Sequence, residues 1–163
     1  MNLDNFRQMY VTELQELRSV EDQLTNALPK MVEAAGHSAL KQAMRHHLDQ
    51  TRSQRDRLDM LLQRHGASAD QHKDQSMQSM IGEADKWMQM AADPDLRDAG
   101  LIASAQRVEH YEIAVYGTLC AWAKQLGLDE DASTLHAILD EEKMADKKLT
   151  QLAESGINPD AMN

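Results

Sequence analysis

Residues 102–123 read IASAQRVEHYEIAVYGTLCAWA, and within them Ile102, Ala105, Glu109, Glu112, Tyr116, Leu119 and Ala123 recur every three or four positions. That is the period of one face of an α-helix. No proline interrupts the run. The face is largely apolar, as a core-facing stripe must be, yet Glu109 and Glu112 sit in its middle. The stretch therefore predicts a helix packed against other helices, with two acids turned toward the shared core.

Working outward, Gly127 ends this helix and Asp129 caps the next, whose inner face is Leu135, Ile138, Leu139, Glu142, Ala145, Asp146, Leu149 and Leu152. Gly156 and Pro159 stop it. Upstream, Asp93-Pro94 opens the central helix, with proline in its first turn. Before that lies a shorter amphipathic helix, about Gln75 to Ala92, carrying Met77, Met80, Ile81, Ala84, Trp87 and Met88. A polar loop from Ala67 to Asp74 precedes it. Another helix runs from a Ser38 cap to about His65, closed by Gly66, with inner face Leu40, Met44, His47, Thr51, Gln54, Leu58 and Leu61. The first helix spans about Asn2 to Ala35, showing Phe6, Tyr10, Leu14, Leu17, Leu24 and Leu28, with a kink expected at Pro29 and Gly36 as the terminating residue.

Four long helices thus form two antiparallel hairpins with short turns, joined by a long link that holds one short fifth helix. One long crossover is the topology of ferritin-like four-helix bundles rather than of simple up-down-up-down bundles. An unrelated bundle with the same helix count is the alternative. The 163 residues predict one all-α domain over 1–163.

The acids carry the chemistry. Glu21 falls between Leu17 and Leu24 on the first stripe, Glu109 and Glu112 share one face of the fourth helix, and Glu142 and Asp146 share one face of the fifth. Each lies about midway along its helix, so a bundle brings the five together. Unpaired buried charge costs several kcal/mol per ion, and like charges raise one another's pKa. Protons, basic partners or a metal must compensate. The inner stripes carry no Lys or Arg; Arg18, Lys30, Arg52, Lys124 and Lys143 all fall elsewhere. Hard oxygen donors suit iron or manganese, with zinc a further candidate. In di-iron carboxylate bundles two helices give one Glu each and two give Glu-x-x-His. Here Glu21 and Glu109 match the single glutamates, while Thr51-x-x-Gln54 and Glu142-x-x-Ala145 stand where Glu-x-x-His would. Thr51 and Gln54 are read as hydrogen-bonding groups that orient a water or a carboxylate.

His47, one turn before Thr51, is read first as a core histidine with its hydrogen bonds met, and otherwise as a ligand or a donor to one. Tyr116 is expected to hydrogen-bond a carboxylate. His110 and His136 lie off the stripes and are expected at the surface or an interface. Cys120 is a buried, inert thiol. The Met/Trp face of the short helix either packs the crossover or makes a subunit contact. The segment Gln50–Arg57 is expected to be a solvated face laced with ion pairs.

Bulk properties narrow the function. The net charge is −10 and no Lys/Arg block is present, which argues against nucleic acid as a partner. A single cysteine excludes an internal disulfide and a four-cysteine iron centre on this chain. No apolar run is long enough for a membrane span and the N-terminus is no signal peptide, so a cytoplasmic protein is expected.

Particular segments resemble the YciE/YciF-like bacterial stress proteins. They are Val20-Glu21-Asp22-Gln23-Leu24 with Leu28-Pro29-Lys30-Met31, then His47-Leu48-Asp49-Gln50-Thr51 continuing to Gln54 and Arg57-Leu58. Val108-Glu109-His110-Tyr111-Glu112-Ile113-Ala114 with Tyr116-Gly117-Thr118-Leu119 is the most specific, and Leu139-Asp140-Glu141-Glu142-Lys143 with Asp146 and Leu149 completes the set. The resemblance covers nearly the whole chain. It implies a ferritin-like fold, a cytoplasmic stress-associated protein and a homodimer. By position it places the metal on Glu21, Glu109, Glu112 and Glu142, with Asp146 a looser match. It supplies no reaction. Two functions follow as expectations: a carboxylate-bridged, rubrerythrin-like metal centre for peroxide or oxygen chemistry fed by an external reductant, or a non-enzymatic stress protein with a metal-free acidic core. A hollow iron-storing, DNA-protecting multimer is disfavoured by the acidic charge.

Overall fold

A computed structural model describes residues 4–163. It contains α1 (Phe6–Ala34), α2 (Ser38–Arg64), α3 (Gln75–Met90), α4 (Pro94–Gln125) and α5 (Asp129–Leu152), followed by a π-helical stretch (Ala153–Ile157) and a last turn, α6 (Asn158–Asp160). α1 pairs with α2 and α4 with α5, and the two hairpins meet along α1–α4 and α2–α5. The architecture is the ferritin-like all-α bundle expected. α3 lies against α4 and α1.

Contacts at the two ends fix the direction of every helix. At one end Phe6 of α1 stacks edge-on against Trp122 near the end of α4, at 5.5 Å between ring centres. There too, Asp131 of α5 accepts from Tyr10 Oη at 2.9 Å, and its Oδ2 lies 2.7 Å from His65 Nε2 at the end of α2. At the other end Asp98 of α4, 1 % exposed, accepts from the backbone N–H groups of Gly36 and His37 at 2.8 and 2.6 Å. α2 therefore ends where α4 also ends, and the chain must cross the bundle before α4 can start. α3 completes that passage, from Asp74, which accepts from Tyr111 Oη at 2.5 Å, to Trp87 against Gly100. A Cβ on Gly100 would stand 3.3 Å from the Trp87 ring, so the glycine admits the crossover.

Several local expectations need correction. The described part of α1 is capped by Asn5, which accepts from the Gln8 N–H; the expected start at Asn2 lies outside the described residues. Gly36 does not adopt the left-handed conformation; among the described residues only Gly66 and Gly127 do, at φ 63° and 70°. The α1–α2 turn is held by Asp98 instead, whose carboxylate takes the place of a C-cap. His37, not Ser38, caps α2 through its ring nitrogen. Asp129 is the first residue of α5 rather than its cap, and Asp129, Glu130 and Asp131 together favour the positive end of the helix. Gly156 and Pro159 do not stop α5. The chain stays helical and widens to π geometry over Ala153–Ile157, as the Asn158 N–H bonds the Ala153 carbonyl. That register shift lets helical backbone reach Pro159, which has no N–H to give.

At the turns where glycine was expected to close a helix, the geometry agrees. The Gly66 and Ala67 N–H groups bond Gln63 and Leu62 carbonyls, and those of Gly127 and Leu128 bond Lys124 and Ala123. Each pair is the double bond of a Schellman closure, which needs a left-handed residue.

The core follows the predicted stripes, except that Phe6 is exposed and Leu101, off the stripe read for α4, is buried. Tyr10, Leu14, Leu17, Leu40, Leu58, Leu101, Tyr116, Leu119, Leu135 and Ile138 are fully or nearly fully buried. Each such side chain contributes about 1.5–3 kcal/mol of burial. α3 is the least buried of the five longer helices: among its residues only Met77 and Ala84 are buried, Met90 is exposed, and Trp87, packed on Gly100, keeps part of its ring in solvent.

Candidate metal centre

The middle of each long helix sends a polar side chain inward. α1 gives Glu21, α2 gives His47, Thr51 and Gln54, α4 gives Glu109, Glu112 and Tyr116, and α5 gives Glu142. All eight are buried. The helical period dictates this: every one stands on its helix's apolar stripe, so the packing that hides the leucines hides the acids as well.

Glu109, Glu112, Glu142 and His47 each offer one ligand atom, and the four atoms lie within 4.8 Å of one another. Glu21 adjoins this group. Its carboxyl interacts with that of Glu112, as Glu109's does with Glu142's, so the four carboxylates fall into two interacting pairs. Tyr116 Oη donates to Glu21 Oε1, and Gln54 Nε2 donates to Glu142 Oε1. Those bonds each hold one oxygen of a carboxylate and leave the other bare. Glu21 Oε2, Glu142 Oε2, Glu109 Oε2 and both oxygens of Glu112 are buried without a hydrogen-bond partner. Buried polar atoms are normally paired, and leaving one unpaired costs about 1–3 kcal/mol. Five orphaned oxygens and an unpartnered imidazole in one place fit the donor set of a hard or borderline metal ion.

Electrostatics say the same. Burial, then repulsion by Glu142, holds Glu21 and Glu112 well above the ordinary carboxylate range, and Glu109 likewise. The Tyr116 hydrogen bond and the more distant Arg57 pull Glu21 part of the way back. Burial pushes Tyr116 well above a normal phenol, and depresses His47 below a normal imidazole. A bound cation would lower these carboxyls and offset their mutual repulsion.

Two placements depart from the expectations. Asp146 is not brought to the group: it is partly exposed, accepts from Gln106 Nε2 at 3.1 Å, and lies 3.2 Å from the exposed His110. At the fourth position after Glu142 the helix has turned it out of the core, toward α4. His47 is the opposite case. Expected as a core histidine with its bonds met, it has neither ring nitrogen hydrogen-bonded; Nε2 stands 3.2 Å from Glu109 Oε1, out of line for a hydrogen bond. The sequence signal was present, since His47 precedes Thr51 by one turn and Gln54 by two on the same stripe.

Arg57 is the basic residue that stripe counting missed. Its guanidinium bonds Glu141 Oε2 at 2.6 Å, and Gln54 Nε2 bonds the same oxygen at 3.0 Å as well as Glu142. Arg57, Glu141, Gln54 and Glu142 are thus one chain of contacts from the surface to the cluster. The rest of Gln50–Arg57 pairs at the surface as expected, with Arg52 on Asp49 and Arg55 on Asp22 and Asp56.

The fold and this site define a class: a ferritin-like helical bundle whose axis carries a cluster of glutamates. Within it the chain belongs to the DUF892 family, described as a domain of unknown function, whose profile matches residues 5–162. It is 39 % identical to protein YciF of Escherichia coli strain K12 over 164 residues, covering all of this chain and 99 % of that protein. The crystal structure of the E. coli stress protein YciF superposes with a TM-score of 0.91 at 38 % identity, over 96 % of this chain and 99 % of that one. YcfI from Rhodopseudomonas palustris superposes with a TM-score of 0.88 at 38 % identity, over 91 % and 95 %.

Proposed function

We propose that this is a stress-associated iron-binding protein whose bundle core holds a carboxylate-rich metal centre. The observation that carries the reading is the set of four buried ligand atoms within 4.8 Å, from His47, Glu109, Glu112 and Glu142, with orphaned oxygens around them. Glu21 extends the set on the Glu112 side, enough for a second ion. Nitrogen and carboxylate donors without thiolate suit iron or manganese best, and zinc next. The likeness to a stress protein supports the setting.

Iron held there would supply redox chemistry toward a peroxide, with an external reductant to restore its electrons, because this chain has one cysteine and so no four-cysteine iron centre of its own. The chain's own residues do the positioning. Gln54 orients Glu142, Tyr116 orients Glu21, and the Arg57–Glu141 pair anchors Gln54. Anaerobic ferrous titration of the metal-free protein should reach a stoichiometric end point that Glu109→Ala removes. No saturable uptake, or uptake indifferent to that substitution, sinks the reading. We take the protein to be a cytoplasmic homodimer, which native mass spectrometry checks.

Thr51 and Gln54, neutral where a carboxylate and a histidine would bind metal, favour a second reading: a non-enzymatic protein with a metal-free core in which protons bridge the carboxylate pairs. It predicts stability indifferent to chelator.

A further inference from the structure

Between the first half of α2 and the second half of α5 the helices part around a cleft of about 650 Å³. Along α2 it runs from Ala39 to Gln50, roughly 17 Å at the helical rise. Its walls are Leu28, Ala43, Met44, Ala145 and Leu149. Alanines on both facing helices leave the space that larger residues would close. The volume falls within the range of small-molecule sites, and the pattern of apolar walls with a few polar groups is theirs too.

Three features of its charge and floor specify the occupant. His47 and Glu109, 8 % and 1 % exposed, line it, so the cleft leads to the proposed metal centre. Both bear buried polar atoms without partners. At the mouth stand Lys147 and Lys148, exposed and without an ion-pair partner among the described residues, and the exposed His46 also lines the cleft. The one acid at the mouth, Glu141, is occupied by Arg57 and Gln54. A chain of net charge −10 thus presents a cationic edge to this apolar cleft.

We propose that the cleft binds an amphiphilic carboxylate of medium chain length, its head at Lys147 and Lys148 and its tail along the apolar walls toward His47 and Glu109. The binding itself stands on the cleft; its role as substrate or gate rests on the metal centre proposed above.

Sodium decanoate, titrated calorimetrically below its micellar range, tests this against decyltrimethylammonium, which has the same tail and the opposite charge. Decanoate should bind saturably and the cation about five- to tenfold more weakly, the margin of two exposed charges. The double variant Lys147→Glu/Lys148→Glu, both at exposed positions, should remove that preference while leaving helicity by circular dichroism intact. Ala43→Trp should fill the cleft and abolish decanoate binding. Equal binding of the two amphiphiles, no saturable binding of decanoate, or a double variant that keeps the preference overturns the proposal. The titrations are run on metal-free and on cobalt(II)-loaded protein. A shift of the cobalt absorption on adding decanoate supports contact between tail and centre, and an unchanged spectrum removes the gating role. Failure of cobalt to bind at all counts against the metal centre, and the metal-free titration then decides the cleft alone.

Discussion

Replacing Glu112 by Gln separates a metal centre from an acid core by the sign of two effects. Glu112 is fully buried, neither of its oxygens has a hydrogen-bond partner, and burial and the neighbouring Glu142, Glu21 and Glu109 push its carboxyl well above the usual range. In the metal-free protein at neutral pH that residue is a liability. A Gln of the same shape carries no charge, and its amide can donate to Glu21, which lies within reach. The metal-free variant should therefore match or exceed the parent, by about 1 kcal/mol, the net worth of one hydrogen bond. With metal the order inverts. A ligand present at about a hundred times its Kd stabilises the native state by about 2.7 kcal/mol. For a chain of this size each kcal/mol moves Tm by about 2–4 °C, so ferrous iron or manganese should raise the parent's Tm by roughly 5–10 °C. Glu112→Gln removes one of four ligands and should lose most of that rise. The assay is differential scanning calorimetry of parent and variant, each with chelator and with metal under anaerobic conditions. A variant clearly less stable than the parent in chelator, together with a parent whose Tm ignores metal, refutes the reasoning: Glu112 would then be a structural group satisfied as it stands.

Without metal, the raised carboxyls of Glu21, Glu109 and Glu112 contribute stability that is fully present below their ordinary value of 4.5 and is lost as pH rises through their elevated values. The depressed His47 acts oppositely, its contribution being present above 6.5 and lost as pH falls through its lowered value, so three groups outweigh one and denaturant midpoints in chelator should fall from mildly acidic to alkaline pH. Tyr116→Phe leaves Glu21 Oε1 without its donor and should cost about 1–3 kcal/mol in urea unfolding of the metal-free chain; an unchanged midpoint means the bond carries nothing. Asp98→Ala orphans the Gly36 and His37 N–H groups and should cost about 1–3 kcal/mol, with faster amide exchange confined to the α1–α2 turn.

Much of the architecture was legible because helical period and turn chemistry are local. The stripes of α1, α2, α4 and α5 predicted their buried faces, and Gly66 and Gly127 ended helices as left-handed residues do. What failed was local chemistry decided by distant groups. Ser38 and Asp129 looked like caps from their type alone; His37 caps α2 instead, and the Asp98 carboxylate, 62 residues from Gly36, settled the α1–α2 turn. Pro159 looked like a stop, and a π-helical register shift carried the helix to it.

The candidate site divides along the same line. The sequence by itself determined that Glu21, Glu109, Glu112 and Glu142 face inward, because a residue's place on its stripe follows from the 3.6-residue turn. Tertiary structure alone decided which groups meet. Small rotations of a helix about its axis move a side chain from core to rim, and so Asp146 turns to Gln106 while His47 joins the glutamates. The cleft lined by Lys147, Lys148 and His47 has no signature in any one segment, since it exists only where α2 and α5 diverge. Periodicity specifies the face of each helix, whereas distance between faces is set by how whole side chains interlock across the bundle.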